Sequence, residues 1–372
     1  MELSYWEYKT WFSKVDFTVI GSGLVGLNCA IRLRGKYPKS KILILEKGSL
    51  PQGASTKNAG FACFGSISEI LSDMKSQPEE AVVQLVQKRL KGIQRLRELL
   101  GDSKMGYQWN GGHELFLKDK PELYEPCLDA MERLNKLLKP IFGEAPFCKG
   151  SNRFGFKGIE DHYITQRFEG QLDTGKMMRG LLQKCLDAKI PILNGIEVVS
   201  LEDSGDKAMV GTRNFDFVSK QVIVATNGFA SKLLQDESIR PARAQVLVTR
   251  PIQDLKIQGT FHLDEGYYYF RNINNRILFG GGRNLDFQVE ETMEFGQTLI
   301  IQNSLESLLH EVILPGQEVK IDRRWSGIMG VGSNKSPIVK QISNSVYCGV
   351  RLGGMGVALG SLVGEELAQM VH

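Results

Sequence analysis

A chain of 372 residues, of which 42% are hydrophobic and 24% charged, is long enough for about two domains with a large core. The net charge is only +4, and basic residues are interspersed with acidic ones, which argues against a nucleic-acid partner. No apolar run predicts a transmembrane segment, and the first fourteen residues lack the pattern of a signal peptide. We therefore expect a cytoplasmic protein.

The cysteines and histidines are dispersed along the chain. The six cysteines form no CxxC pair, and the five histidines show no metal-ligand spacing beside them. The sequence predicts no metal site and no disulfide framework, and we expect each cysteine to be a small buried apolar residue.

The segment from Phe17 onward has the pattern of a strand, a tight glycine turn and a helix. The first glycine allows the turn, the second lets backbone approach a pyrophosphate, and the third lets helix and strand pack closely. The helix N-terminus then offers free N–H groups to anionic oxygens. This turn predicts a dinucleotide site formed by Gly21, Ser22, Gly23, Leu24, Val25 and Gly26.

A second predicted strand, Lys41 to Leu45, ends at Glu46, which lies 20 residues after Gly26. A carboxylate at this spacing accepts hydrogen bonds from the ribose hydroxyls of an adenosine and repels a 2′-phosphate. The following loop, from Gly48 to Gly65, is rich in Gly, Ser, Thr and Asn. Small side chains and free backbone donors suit a wide flat ring, so the loop favours a flavin over a nicotinamide.

The glycine turn, Glu46-Lys47-Gly48 and the segment from Gly53 to Gly60 together resemble the FAD-binding start of the D-amino-acid oxidase family. That family includes glycine, sarcosine and gamma-glutamylputrescine oxidoreductases. The resemblance implies bound FAD, with further cofactor contacts from Lys47, Ser55, Thr56, Lys57, Asn58, Ala59 and Gly60.

The expected fold class is α/β, with a Rossmann-like FAD-binding domain and an inserted, mostly antiparallel β-sheet substrate domain. Helical patterns at 68–100 and 121–138 and a strand pattern at 107–117 begin the insertion, and strand patterns dominate again between Arg240 and Ile321. We assign 15–75, 166–240 and 322–372 to the FAD-binding domain and 76–165 and 241–321 to the substrate domain.

Three later segments also resemble the family's FAD site. The strand Lys220 to Val224 stops sharply at a polar turn, as expected for the carboxyl end of a strand that contacts a ligand. By resemblance Val198 lies near the adenine, although an ordinary core valine fits this position equally well. The family's pattern places these additional residues at the cofactor: Val198, Ala225, Thr226, Asn227, Gly228, Gly327, Arg351, Gly353, Gly354, Met355, Gly356 and Val357.

This sequence departs from the family's pattern at two positions. Met329 follows Gly327 by two residues, where amino-acid-oxidising members carry an arginine that holds the substrate carboxylate. Met355 stands where many members have a histidine, so the role of that histidine does not transfer. The sequence therefore argues against the family's usual way of binding a simple amino acid.

A hairpin is predicted from Gly266 to Gly280, with a turn at Asn272 to Asn275. A period of two places Tyr267, Tyr269 and Arg271 on one face, where Arg271 could pair with a substrate carboxylate. The hairpin looks most like the gamma-glutamylputrescine oxidoreductase branch, in which Tyr267 falls at a substrate-contacting tyrosine. The alternative is aromatic packing within the sheet with a solvated Arg271.

The function that these residues favour is oxidation of the C–N bond of an amine or amino acid by hydride transfer to FAD, with Tyr267, Tyr269 and Arg271 orienting the substrate. The electrons would pass to dioxygen or to a quinone or other carrier. No cysteine or histidine follows Trp325 where the sarcosine-oxidising branch links its flavin, so we expect the FAD to be non-covalent. Two alternatives remain: an FAD-dependent 2-hydroxy-acid dehydrogenase and a non-catalytic flavin-binding protein.

Overall fold

The computed structural model describes residues 2–372 and contains two eight-stranded sheets. The first sheet contains five adjacent strands joined by four parallel pairings. Three of them, Val15–Ile20, Ile42–Glu46 and Val346–Val350, are mostly apolar and almost entirely buried, because both faces of the sheet are covered there. Its main path runs through Ile338–Gln341, Val346–Val350, Asp216–Val224, Val15–Ile20, Ile42–Glu46 and Ile192–Asn194. Antiparallel strands Ala208–Thr212 and Val198–Asp203 extend it from Asp216–Val224.

Helices cover this sheet and bury a shared apolar cluster. Leu27, Ala30 and Leu33 recur at helical spacing and are fully buried against the strands. The helices whose side chains contribute to this cluster are Leu24–Lys36, Glu79–Leu100, Asp102–Met105, Thr174–Asp187 and Gly356–Met370. The chain begins with the short helical segments Tyr5–Glu7 and Tyr8–Phe12.

The second sheet is antiparallel except for one parallel pair, between Thr260–Leu263 and Gly112–Glu114. In spatial order its strands are Ile321–Val331, Arg240–Thr249, Arg276–Gly281, Tyr268–Ile273, Thr260–Leu263, Gly112–Glu114, His162–Gln166 and Phe147–Ser151. The remaining α-helices are Ile67–Ser76, Pro121–Phe142, Ala230–Leu234, Phe287–Glu290 and Leu299–Leu308. A parallel-centred sheet beside a mostly antiparallel one confirms the predicted fold class.

Smaller elements connect these parts. A two-stranded sheet pairs Phe61–Ala62 with Gly170–Gln171. Short 3₁₀ or π segments occur at Ala54–Thr56, Asn227–Phe229, Arg283–Leu285 and Leu309–Ile313. Within residues 2–372, no helix combines the length and the apolar character needed to cross a membrane.

The predicted hairpin is present, with a tighter turn than expected. Tyr268–Ile273 pairs with Arg276–Gly281, and only Asn274 and Asn275 connect them. Their φ angles of 48° and 55° are those of a type I′ turn, which asparagine tolerates better than most residues. The structure therefore confirms the hairpin, shifts its first strand two residues towards the turn and extends its second strand by one residue, to Gly281.

The domain boundary after the hairpin differs from the predicted one. Ile321–Val331 pairs with Arg240–Thr249 from Arg240 opposite Val331 to Thr249 opposite Ile321. This strand thus belongs to the second sheet, whereas the sequence assigned residues from 322 onward to the FAD-binding part. The strand runs through Gly327 and Gly330 without a turn, and its pairing ends at Val331, immediately before Gly332.

Candidate functional site

A cavity of about 470 Å³ lies where the first sheet's strands end and the second sheet begins. On one side it is lined by residues at or just after the carboxyl ends of parallel strands, including Gly21, Glu46 and Ala225. On the other side it is lined by residues of the second sheet, including Val246 and Tyr269. Ligands in sheets of this kind bind at the carboxyl ends of the strands, and the volume is in the usual range for a cofactor pocket.

The glycine turn has the geometry that the sequence predicts. Gly21 has φ of +103°, and a Cβ there would lie 2.9 Å from the carbonyl oxygen of Ala225. A Cβ on Gly26 would lie 2.0 Å from the carbonyl oxygen of Gly21. The helix Leu24–Lys36 can therefore start close to the strand, with its first backbone groups at the cavity.

Glu46 is held in a fixed orientation at the end of its strand. Its Oε2 accepts hydrogen bonds from the N–H of Ser22 at 3.1 Å and from the hydroxyl of Ser22 at 2.7 Å. Its Oε1 accepts from the N–H of Gly48 at 3.1 Å. Glu46 is only 6% exposed and lines the cavity, so this preorganised carboxylate suits the ribose hydroxyls of an adenosine.

The loop from Gly53 to Gly60 is fixed by its own hydrogen bonds. The amide of Asn58 donates to the carbonyls of Ala54 and Ser55, and its oxygen accepts from the N–H of Gly60 and the hydroxyl of Thr174. The indole of Trp325 donates to the carbonyl of Lys57 at 2.9 Å. The loop is thus preformed, with little ordering left to be done when a ligand binds.

Most predicted cofactor residues come together at this one cavity. The residues that line it are Gly21, Gly23, Leu24, Val25, Glu46, Lys47, Ser55, Lys57, Asn58, Ala59, Gly60, Val198, Ala225, Thr226, Asn227, Gly327, Gly353, Gly354, Met355, Gly356 and Val357. Thr226 also has a buried hydroxyl that has no hydrogen-bond partner within residues 2–372. An unpaired buried hydroxyl in a preformed cradle is consistent with a bound polar cofactor.

Five predicted cofactor residues do not line the cavity, and each has another structural environment. Ser22 donates hydrogen bonds to Glu46, and Gly26 packs against the carbonyl oxygen of Gly21. Thr56 is exposed and donates to the carbonyl of Pro51. Gly228 packs against the backbone of Met329. The guanidinium of Arg351 donates to the carbonyls of Ser336 and Ser238 and to the Asn334 side chain, so it supports the surrounding loops.

The three predicted substrate residues have different environments. Tyr269 lines the cavity, over Gly280, where a Cβ would lie 2.8 Å from the tyrosine ring. Tyr267 precedes the strand, does not line the cavity, and packs edge-on against Phe287. The predicted strand began at Gly266, which the structure places in the turn from Asp264 to Gly266, so Tyr267 lies outside the strand and off the predicted face.

Arg271 is buried, which makes the solvated alternative wrong. It is 3% exposed, and its Nη2 would be 2.9 Å from a Cβ on Gly60. Burial lowers the pKa of Arg271 to about 10, although the charge of Asp173 acts in the opposite direction. Arg271 does not line the cavity. It lies behind the cavity wall, next to the backbone of Gly60, and is placed to support that backbone.

A buried histidine and carboxylate were not predicted from the sequence. His262 lines the cavity, and its Nε2 lies 3.1 Å from Oε2 of Glu169. Burial opposes protonation, but Glu169, Glu69 and Glu114 outweigh it and raise the pKa of His262 to about 9. No spacing motif relates these residues, because they come from four separate segments.

The pH dependence of stability follows from this cluster. The pKa of His262 rises from 6.5 to about 9, and burial raises that of Glu114 from 4.5 to about 7. Both folded pKa values lie above the unfolded ones, so each group stabilises the folded protein most at low pH. The contribution of Glu114 is lost as the pH rises from 4.5 to 7, and that of His262 is lost as the pH rises from 6.5 to 9. We expect each loss to be on the order of 3 kcal/mol.

Urea unfolding of the wild type and of His262→Gln at pH 5, 7 and 9 would measure this effect. The wild type should lose stability between pH 7 and 9, and the variant should lose much less over that interval. Equal slopes for the two proteins would contradict the assignment of the loss to His262.

Comparison with known families identifies the chain. A family model described as FAD dependent oxidoreductase matches residues 16–370. The chain belongs to this family. The members of the family are FAD-dependent, so this protein is an FAD-dependent oxidoreductase, in agreement with the cradle around Gly21 and Glu46.

Two curated relatives cover almost the whole chain. A probable oxidoreductase OrdL of Haemophilus influenzae is 24% identical over 97% of this chain and 84% of its own length. The gamma-glutamylputrescine oxidoreductase of Escherichia coli is 24% identical over 96% of this chain and 83% of its own length. The predicted family resemblance is thus confirmed.

Two solved structures share the fold. The L-proline dehydrogenase of P. horikoshii superposes with a TM-score of 0.77 at 16% identity, covering 96% of this chain and 93% of its own. The glycine oxidase of Bacillus cereus superposes with a TM-score of 0.76 at 17% identity, covering 96% and 95%. At these identities the similarity establishes the architecture.

Proposed function

We propose that this FAD-dependent oxidoreductase oxidises the C–N bond of an amine or amino acid to an imine. The observation that carries the proposal is the composition of the cavity wall beyond the FAD cradle. Apart from Glu69 and His262, the side chains there are apolar or aromatic, namely Phe61, Cys63, Tyr269, Met293, Ile328, Met329 and Met355. Such a wall positions a small substrate and excludes water, and it supplies no strong base at neutral pH.

The chemistry requires little from the protein beyond positioning. The substrate carbon loses a hydride and the nitrogen loses a proton to water, which leaves an imine that water hydrolyses to a carbonyl compound and an amine. FAD, when bound, supplies the hydride acceptor. Burial raises the pKa of Tyr269 to about 12, so its phenol stays protonated and can donate a hydrogen bond to the substrate.

The named relatives give independent support. The Escherichia coli relative is named for an amine substrate, and the two solved structures are a proline dehydrogenase and a glycine oxidase. The support extends only to the type of bond oxidised, which is a carbon–nitrogen bond.

The decisive experiment is anaerobic titration of the holoprotein with amines, amino acids and 2-hydroxy acids, followed at the flavin absorbance. Bleaching by amines or amino acids is the expected result. Bleaching by 2-hydroxy acids alone would replace the proposal with a hydroxy-acid dehydrogenase, and no bleaching by any compound would indicate a non-catalytic flavoprotein.

The electron acceptor is separable from the substrate. We propose that the reduced flavin passes its electrons to dioxygen or to a quinone or other carrier. Mixing the reduced enzyme with air-saturated buffer or with a soluble quinone distinguishes these acceptors. Reoxidation by the quinone but not by air would define a dehydrogenase.

We also infer that FAD binds without a covalent link. The segment from Ser326 to Gly332 contains no cysteine or histidine. Acid precipitation should therefore release yellow cofactor into the supernatant, and a coloured pellet would overturn this inference.

Tyr269 and Tyr267 offer a matched test of the substrate wall. Replacing Tyr269 with alanine removes an aromatic contact at the cavity, on the order of 1.5–3 kcal/mol, so we expect kcat/KM to fall roughly tenfold to a hundredfold. Tyr267→Ala removes a ring that packs on Phe287 outside the cavity, and we expect a change below about threefold. Steady-state kinetics with the best substrate of the panel would measure both, and similar losses for the two variants would contradict the assignment of Tyr269.

A further inference from the structure

One row of side chains crosses the second sheet at the cavity. Strand register places Val246 beside Gly280, Gly280 beside Tyr269, Tyr269 beside His262, and His262 beside Glu114. Residues paired in this way point to the same face of a sheet. Phe61 packs edge-on against the rings of both His262 and Tyr269, so these two side chains stand next to each other at the cavity wall.

His262 is held as a cation by the groups around it. Three glutamates surround it. Glu169 contacts its Nε2, Glu114 is its pairing partner on the neighbouring strand, and Glu69 lies on the helix Ile67–Ser76. The other cations near these carboxylates are Lys335, which pairs with the buried Asp73, and Arg89, which is 1% exposed and donates to the carbonyl of Phe64. His113, on the strand Gly112–Glu114, also acts weakly on the cluster but titrates near pH 4, because burial lowers its pKa, so it is neutral at pH 7.

The carboxylates around His262 have partners of their own. Oε1 of Glu169 accepts from the N–H of Phe64, and Glu114 accepts from the N–H and hydroxyl of Ser68. Oε2 of Glu69 accepts from the N–H of Ser66 in a capping box. Glu69 is therefore part of a helix cap whose charge is balanced by Lys335, His262 and Arg89, and it is poorly placed to act as a free site for an ammonium group.

Two hydrogen-bond donors remain at this wall without partners. Within residues 2–372, the structure gives no hydrogen-bond partner to Nδ1 of His262 or to the hydroxyl of Tyr269, and both side chains line the cavity. With Nε2–H donated to Glu169, a protonated ring must also donate from Nδ1. A charged donor beside a neutral donor matches the two oxygens of a carboxylate.

We propose that His262, clamped by Glu169 and assisted by Tyr269, is a specificity-determining residue that binds a carboxylate on the substrate. This inference rests on the proposed C–N oxidation and narrows its substrate class to amino acids and N-substituted amino acids over plain amines. When His262 loses its proton, Nε2–H stays directed at Glu169 and Nδ1 becomes a lone-pair acceptor. A neutral His262 therefore repels a carboxylate and leaves the affinity for a plain amine nearly unchanged.

Equilibrium binding of propionate to the oxidised holoenzyme, followed through the flavin spectrum, tests this without any turnover. Propionate stays ionised from pH 7 to 10, and Tyr269 stays protonated because its pKa is about 12. We expect the dissociation constant to rise about tenfold between pH 8, where Glu114 is already ionised, and pH 10, since binding is then linked to the single proton on His262. A dissociation constant that does not change across this range, or no binding at all, would overturn the proposal.

A matched pair of variants identifies the residue responsible. His262→Gln should weaken propionate binding at pH 7.5 at least tenfold and flatten its pH profile. His113→Gln is the control, because His113 is also buried on this sheet but pairs with Thr165 and does not line the cavity. It should bind propionate as the wild type does. Equal losses of propionate affinity in both variants would indicate general disruption of the sheet and overturn the proposal. If neither variant folds, the pH dependence of propionate binding to the wild type decides the question.

Matched substrates complete the test. Glycine with methylamine and proline with pyrrolidine are pairs that differ by one carboxylate. His262→Gln should raise the concentration needed for half-maximal flavin reduction for the acid of each pair at least tenfold and change that for the amine by less than about threefold. Absence of reduction by any of these compounds would count against C–N oxidation, whereas His262-dependent propionate binding would still hold, so the two failures are distinguishable.

Discussion

Replacing Gly26 with alanine should abolish FAD binding and destabilise the protein. The new Cβ would lie 2.0 Å from the carbonyl oxygen of Gly21 and 3.1 Å from Cγ1 of Val19. The first contact is with backbone, so relief requires the helix Leu24–Lys36 to move away from its strand. Overpacking of this severity costs about 3 kcal/mol, which outweighs the gain of about 1 kcal/mol from alanine's higher helix propensity.

The same movement displaces the turn that we propose holds the cofactor. Leu24 and Val25 line the cavity, and the N–H of Leu24 donates to the hydroxyl of Ser55 at 2.9 Å. Shifting the helix breaks this contact and moves the backbone N–H groups that are expected to bind the pyrophosphate. The measurements are the FAD content per chain after purification and the thermal unfolding of the apoprotein.

Gly35 is the matched control because it lies in the same helix and a Cβ there would meet no atom within 4 Å. Gly35→Ala should raise stability by roughly 0.5–1 kcal/mol and leave the FAD content unchanged. If Gly26→Ala matched Gly35→Ala in both measurements, the close approach of helix and strand would not be required for the site.

The geometry of the glycine turn and of Glu46 was predictable because its signals are local. Gly21, Gly26 and Glu46 occur at fixed spacings within one strand–helix–strand unit, and each spacing has a single structural consequence. The turn at Asn274 and Asn275 is similar, since two asparagines between two apolar runs specify a tight hairpin. In both cases the residues that determine the geometry are neighbours in the chain.

The substrate wall was not predictable in the same way, because strand register assembles it. His262, Glu114 and Glu169 are far apart in the sequence and become neighbours only through pairing in the second sheet and the loop that follows it. The position of Tyr267 depended on where the strand begins, and three residues with positive φ delay that start until Tyr268. Boundaries of this kind are decided by the backbone conformation of the preceding turn, which period-two patterns do not report.

Arg351 shows a third limit. Its place in the glycine-rich segment near the predicted flavin was recognised, and neighbouring Gly353 and Gly354 line the cavity. Its own φ of 61° and its hydrogen bonds to Ser336 and Ser238 give the side chain a structural role instead. Proximity in sequence to a cofactor motif places the backbone but does not determine the direction of a long side chain.

The second large effect is expected at a buried ion pair beside the cavity. Arg243 and Glu290 form two parallel hydrogen bonds of 2.8 Å, and Glu290 is fully buried. Oε1 of Glu290 also accepts from the amide of Gln245 at 2.9 Å. Replacing Arg243 with methionine leaves a buried carboxylate without its cation, which should lower the free energy of unfolding by about 3–5 kcal/mol.

The loss in Arg243→Met should depend on pH, because protonating Glu290 removes the unpaired charge. Urea unfolding at pH 7.5 and pH 5 should therefore show a smaller deficit at the lower pH. The double variant Arg243→Met with Glu290→Leu should be more stable than Arg243→Met alone, since no buried charge remains, although Gln245 loses an acceptor worth about 1–3 kcal/mol. Lys136→Met is the control, because its pair with Glu132 is exposed on both sides and its loss should change the free energy of unfolding little.

The consequence of Arg243→Met extends to the cavity. Glu290 ends the helix Phe287–Glu290, and Met293, three residues later, lines the cavity. Because the ion pair attaches this helix to the strand Arg240–Thr249, its loss should loosen the wall at Met293 and reduce substrate affinity as well as stability. A variant with wild-type stability at pH 7.5, or with a deficit that grows as the pH falls, would show that Glu290 is not held by Arg243 in the way that this geometry requires.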